Sequence, residues 1–103
     1  MAEHTNLLQF PQTLEARIRN AIQNKRLIEV TYNGRPRRAE PHDYGCINSV
    51  DRLLVFQLDK RVWRMFDVPK IEDLVVLDES FRGSRRKAHE SHHRWDLVYL
   101  RVD

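Results

Sequence analysis

From Thr13 onward the apolar residues Leu14, Ile18, Ala21 and Ile22 recur every three to four positions, with Glu15, Arg17, Arg19 and Gln23 opposite them. That spacing predicts an amphipathic helix whose stripe needs a partner surface. Thr13 suits the N-cap, because its hydroxyl can accept from a backbone N–H of the first turn, and Pro11 marks the entry. At Arg26 the period changes to two, with Ile28, Val30 and Tyr32 alternating with Leu27, Glu29 and Thr31 before Asn33-Gly34. This predicts a first strand closed by a hairpin turn. Residues 37–41 predict the returning strand, confined to an edge or a short ladder by Pro36 and Pro41.

Residues 43–51, with Gly45, Asn48 and Ser49, read as a loop or irregular turn, and residues 52–58 as a buried third strand. A charged turn at Asp59-Lys60-Arg61 leads into a fourth strand, residues 62–68, with Val62, Arg64, Phe66 and Val68 on one face and Trp63, Met65 and Asp67 on the other. Pro69 stops it. A short helical turn over residues 70–73 precedes a fifth strand at 74–77, which ends in Asp78-Glu79. Residues 82–94 shift to Arg, Lys, His and Ser, and predict a flexible charged linker that buries almost nothing. Alternation returns over 95–102, where Trp95, Leu97, Tyr99 and Arg101 oppose Asp96, Val98, Leu100 and Val102, predicting a sixth strand.

One helix followed by short strands and tight turns predicts a mostly β fold, a small SH3-like or Sm-like barrel with a C-terminal extra strand. The expected organisation is an N-terminal tail at 1–12, the barrel with its leading helix at 13–81, the linker at 82–94 and the last strand at 95–103. Leu54, Phe56 and Leu58 lie opposite Leu53 and Val55, so both faces of the third strand are apolar and something must cover the outside. With 103 residues there is room for one hydrophobic core.

Composition narrows the function. Lys and Arg number 18 against 15 Asp and Glu, a formal charge of +3, which allows a polyanionic partner without demanding one. Arg35, Arg37 and Arg38 cluster, as do Lys60, Arg61 and Arg64, and Arg82, Arg85, Arg86 and Lys87. Cys46 is the single cysteine, so no internal disulfide and no cysteine-based zinc site is possible, and a cytoplasmic chain is expected. The longest apolar runs are too short to span a bilayer, and the first dozen residues lack the blocks of a signal peptide. No nucleophile motif, glycine-rich phosphate loop or paired-histidine metalloprotease spacing occurs, so a non-catalytic protein without cofactors is expected. His89, His92 and His93, with Glu90 among them, are the only cluster of metal-ligand types. They are read as a solvated segment rather than a metal site, since structural zinc takes four ligands on ordered elements.

Guanidinium groups offer paired donors to phosphate, and Tyr32, Tyr44 and Trp63 stand near the basic clusters as candidate stacking platforms. In chain order, residues 18–24, Val30-Thr31-Tyr32, Arg38-Ala39-Glu40-Pro41-His42, Leu53-Leu54, Arg64-Met65-Phe66 and Lys70-Ile71 resemble the WYL domain family over about residues 14–81. Arg-x-Glu-Pro and Arg-x-Phe followed by a basic residue and Ile are the most specific parts. The resemblance implies an Sm-like or SH3-like barrel that senses a ligand, often nucleotide or single-stranded nucleic acid, in bacterial transcription regulators or phage-defence systems. It also implies that Arg38, Arg64 and Lys70 hold the basic positions of the pocket, with His42 in the Arg-x-Glu-Pro segment beside them. Two positions depart from the family: the name-giving Trp-Tyr-Leu is Arg52-Leu53-Leu54, and the usual Arg-Ile is Lys70-Ile71.

The expectation is a stand-alone module that binds a nucleotide or single-stranded nucleic acid through Arg38, Arg64, Lys70, Tyr32, His42, Tyr44 and Trp63, working in regulation with a partner regulator protein. Family regulators carry a winged helix-turn-helix ahead of this domain, and about a dozen residues precede the helix here. The alternative is a protein–protein module that forms a homo-oligomer by strand addition at residues 95–102.

Overall fold

The structure is a computed structural model that describes residues 12–85 and 94–103. Helix α1 (Leu14–Gln23) is followed by β1 (Arg26–Tyr32), β2 (Arg35–Ile47), β3 (Val50–Gln57), β4 (Val62–Asp67), β5 (Asp73–Ser80) and β6 (Leu97–Arg101), with a 3-10 turn at Val68–Lys70. All strand pairs are antiparallel, in the order β4-β3-β2-β1-β5, with β6 also on β2. The sheet curls around one core as a barrel does, but β4 and β5 do not pair and the barrel stays open.

The Thr13 hydroxyl accepts the Ala16 N–H at 3.0 Å, as an N-cap does. Helix α1 buries Ile18, Ala21 and Ile22 against Ile28, Val30, Ala39, Tyr44, Leu53, Val55, Phe66, Leu74 and Val102. Fully burying each of the larger side chains stabilises the fold by about 1.5–3 kcal/mol. Arg17 ties the exposed flank of α1 to β5 by donating from Nη1 to the Leu74 carbonyl at 2.6 Å.

Strand β2 differs from its expected form. It runs 13 residues and lies at the centre of the sheet, so residues 43–47 are strand rather than loop, and the turn is confined to Asn48-Ser49, both at positive φ. Pro41 is tolerated there because the β1 ladder ends at Ala39 and the β6 ladder begins at Asp43, so neither neighbour on that side needs an N–H from it. A register shift between Pro41 and Asp43 against β3 makes His42 the extra residue of a bulge. Smaller corrections follow downstream. The short helical turn sits at Val68–Lys70, where Pro69 fits the first turn, and β5 is longer than its apolar run because Asp73 at one end and Ser80 at the other still pair with β1.

Residues 82–85 do not behave as a linker. Gly83 is buried, and the Ser84 N–H donates to the Asp103 carbonyl at 2.9 Å. The Arg85 side chain forms a paired hydrogen bond with Glu40. The expected N-terminal tail to residue 11, the rest of the linker at 86–93 and the histidine cluster in it lie outside the described residues. No described helix is long and apolar enough to cross a membrane.

Candidate ligand-binding faces

Directly opposed residues in an antiparallel pair share a face of the sheet, and this rule sorts the expected site residues. Arg64 pairs with Val55, and Val55 belongs to the core, so Arg64 is on the core face. Arg38 pairs with Glu29, one residue off the core positions Ile28 and Ala39, so Arg38 is on the outer face, where it forms an ion pair with Glu79. Lys70 lies beyond β4 with 72% of its side chain exposed, 3.7 Å from Asp67. The expected trio of Arg38, Arg64 and Lys70 is therefore not one constellation.

The aromatic expectations change too. Tyr44 is 2% exposed and part of the core, so it is no stacking platform. Its neighbour across the sheet is Tyr99, whose hydroxyl donates to Asp51 at 2.8 Å. That bond holds the Tyr99 proton, pushing its pKa up to about 12, while burial raises that of Tyr44. His42, at 1% exposed, is enclosed rather than open to a ligand. Tyr32 is half-buried against Phe66, and its hydroxyl accepts the Asp67 N–H at 3.1 Å.

On the core face, next to the β1–β2 turn, the structure assembles Tyr32, Arg37, Gln57, Arg64 and Phe66. Arg37 pairs with the core residue Val30, and its guanidinium carbon sits 5.9 Å from the Tyr32 ring centre and 5.8 Å from that of Phe66. One nitrogen donates to the Tyr32 carbonyl at 3.3 Å, while Nε is buried without a hydrogen-bond partner. Arg64, two residues from Phe66 on the same face, donates from Nε to Gln57 at 3.2 Å. Gln57 in turn donates to Asp59 at 2.7 Å, and this bond lowers the Asp59 carboxyl below its usual range. Neither Arg37 nor Arg64 makes an ion pair among the described residues. Arg37 was legible as part of a basic cluster; only the strand register shows that it, and not Arg38, shares a face with Arg64.

The two hairpin turns bring the first two basic clusters to the same end of the sheet. The Leu58 N–H donates to the Arg38 carbonyl at 3.0 Å, and Pro36, Arg37, Arg38, Leu58 and Asp59 line a cleft of about 320 Å³. Arg35, Lys60 and Arg61 add exposed cations there without ion pairs among the described residues. No group of three or more His, Cys, Asp or Glu suited to a metal occurs among the described residues.

The outer face is different in kind. Glu40, Phe56 and Trp63 face each other across β2, β3 and β4, and His42 stands edge-on to Trp63 at 4.8 Å and beside Phe81 at 5.8 Å. The Glu40 carboxylate, with only 8% of the side chain exposed, takes Arg85 Nε at 2.7 Å and Nη2 at 3.1 Å. These bonds raise the Arg85 pKa, reinforcing its positive charge. The same guanidinium lies 4.1 Å from the Phe56 ring centre.

No protein-family model matches the chain, and no curated protein matches it. Among solved structures, the fold is similar to part of proteasome accessory factor B/C (PafBC) of Arthrobacter aurescens, with a TM-score of 0.60 and 22% identity. The match covers 66% of this chain and 12% of that one, so the chain spans a small part of that protein's length and the likeness is one of fold.

Proposed function

We propose that this chain is a WYL-like regulatory module that senses a nucleotide or single-stranded nucleic acid on its core face, by binding and not by catalysis. The carrying observation is the pair Arg37 and Arg64. Arg37 lies beside Phe66 and Arg64 stands two residues from it on the same strand face, neither is neutralised by a carboxylate among the described residues, and Arg37 keeps a buried donor unpaired. A buried donor without a partner is costly, and guanidinium groups beside aromatic rings suit a phosphate joined to a base. Arg35, Lys60 and Arg61 extend the positive field along the same end. The sequence resemblance to the WYL family supports a role in regulation rather than chemistry, in a bacterial cytoplasm and beside a partner regulator protein, and the shared fold is compatible with it.

The reading is tested by fluorescence anisotropy with labelled single-stranded oligonucleotides, competed by free nucleotides. Arg37→Ala with Arg64→Ala should weaken binding and flatten the log–log salt dependence by about 1.4, since each phosphate contact on a single strand contributes about 0.7. Arg38→Ala, already paired to Glu79, should bind like wild type. Absence of binding by the wild type at low salt rejects the proposal.

A second reading, self-assembly through β6, is favoured by Leu97 at 57% exposed and Val98 at 37% on a strand with one neighbour. Sedimentation that finds a monomer with β6 intact rejects it.

A further inference from the structure

We infer that the outer face carries a guanidinium-recognition site, occupied in cis by Arg85 and suited to an arginine side chain of a partner protein when the Arg85 side chain swings out. This goes beyond the core-face reading and does not depend on it.

The site has the parts such a ligand requires. A guanidinium is planar, carries donors in a fixed fork, and is weakly hydrated enough to lie on an aromatic ring. Glu40 supplies the carboxylate for the fork, held by the sheet and largely buried before any ligand is considered. Phe56 supplies the ring face, 4.1 Å from the Arg85 guanidinium carbon. Trp63 braces Phe56 edge-on, with ring centres 5.2 Å apart, and His42 packs edge-on against Trp63 in turn. Phe81 continues the wall beyond His42.

What fills the site belongs to a segment without helix or strand, residues 81–85. Its backbone is tied down at the Phe81 N–H to the Lys25 carbonyl, at the Ser84 N–H to Asp103, and at the Arg85 N–H to His42 Nε2, at 2.9, 2.9 and 3.1 Å. His42 holds this last bond as a neutral imidazole, since Nδ1 lies 3.0 Å from the Glu40 carbonyl and must donate to it. Beside the segment is a cleft of about 520 Å³, bordered by Leu27, Leu58 and Phe81 as well as Glu40 and Arg85. That cleft gives the aliphatic stem and backbone of an incoming arginine a place to lie.

Removing Arg85 leaves a buried carboxylate without its cation, a costly state that a guanidinium from elsewhere relieves. In the wild type the tethered Arg85 competes at an effective concentration in the millimolar range, so an external arginine must exceed that to enter.

The test uses the full chain carrying Arg85→Ala, titrated with ethylguanidinium at constant ionic strength, with ethylammonium as the control cation. Thermal midpoint and tryptophan emission are the readouts. Arg85→Ala should lose stability and regain it saturably with ethylguanidinium and at least about tenfold less effectively with ethylammonium, which lacks the fork. Adding Glu40→Gln should remove the rescue. An arginine-containing peptide should bind Arg85→Ala at least about tenfold more tightly than wild type, the tethered competitor being gone. Should Arg85→Ala fail to fold, Arg85→Lys retains a charge and the same rescue is measured in it. Equal effects of the two cations, or rescue that survives Glu40→Gln, overturns the proposal. No nucleotide enters the experiment, so its failure is distinct from failure of the core-face reading.

Discussion

Replacing Gly45 by alanine tests how β6 is held to the barrel. Gly45 pairs with Arg52 on one side and Val98 on the other, in the middle of a strand where glycine ordinarily weakens the ladder. Close approach explains it: an added methyl would overlap the Leu97 carbonyl oxygen and come within 2.7 Å of the Trp95 ring. The indole can rotate, whereas the carbonyl is fixed by the β6 backbone, so β6 itself must shift. Overpacking of this kind costs about 1–3 kcal/mol, and in a domain this size each kcal/mol lowers the melting temperature by about 4–8 °C. Gly34→Ala is the control, because its turn at φ +75° has nothing within 4 Å of the added methyl and incurs only backbone strain of about 1–2 kcal/mol. Scanning calorimetry gives the two midpoints, and hydrogen exchange at the Asp96 and Val102 amides, which donate to β2, reports undocking of β6. Those two amides should lose protection in Gly45→Ala and keep it in Gly34→Ala. An unchanged midpoint in Gly45→Ala, with Val102 still protected, would refute the reasoning.

Tyr99 should ionise near pH 12 rather than 10, because the neutral hydroxyl donates to Asp51. Since the folded value lies above the unfolded one, this bond stabilises below about pH 10 and is lost as pH rises through 12. Ultraviolet titration of wild type minus Tyr99→Phe isolates the step, and a difference curve centred near 10 contradicts it. Tyr32→Phe leaves the Asp67 N–H without its acceptor and should cost about 1 kcal/mol in urea unfolding; no loss means that this bond does not help hold β4 to β1. Deleting His42 removes the bulge residue and slides the rest of β2 by one position, which should prevent folding, whereas His42→Ala keeps the register. Circular dichroism melts distinguish the two, and equal stability argues against the bulge as the register-setting device.

The elements with a clean period were legible. The stripe of α1, the Asn33-Gly34 turn and the alternation of β4 all rest on local patterns that neighbouring residues repeat. Residues 43–47 were hidden because their signals are local to other features. Gly45 is there to admit Leu97 and Trp95, not to make a turn, and Pro41 sits where two ladders meet. Residues 82–85 were hidden for a related reason: their charge marks solvated chain unless a buried carboxylate receives it, and nothing near Arg85 in sequence points to Glu40.

Sequence parity alone does not sort the expected site residues onto the two faces of the sheet. Ala39 and Pro41 face the core side, Arg38 and Glu40 face outward, and beyond the bulge the parity reverses, so that Tyr44 opposes the core residue Leu53. Residues 38 and 44 have the same parity in the chain and lie on opposite sides of the sheet. A strand without the extra residue would put either Tyr44 outside or Ala39 outside, and lose part of the core in both cases. The bulge therefore serves two ends. It lets one long strand supply apolar residues to the core along its whole length. It also leaves His42 outward beside Glu40, where the imidazole fixes the backbone of Arg85 and the carboxylate fixes its side chain. The basic residues divide by the same geometry into Arg37 and Arg64 on the core face, without an ion pair among the described residues, and Arg38 and Arg85 already neutralised by Glu79 and Glu40. Charge clusters in the sequence give the number of cations, and the face of the sheet decides which of them remain for a ligand.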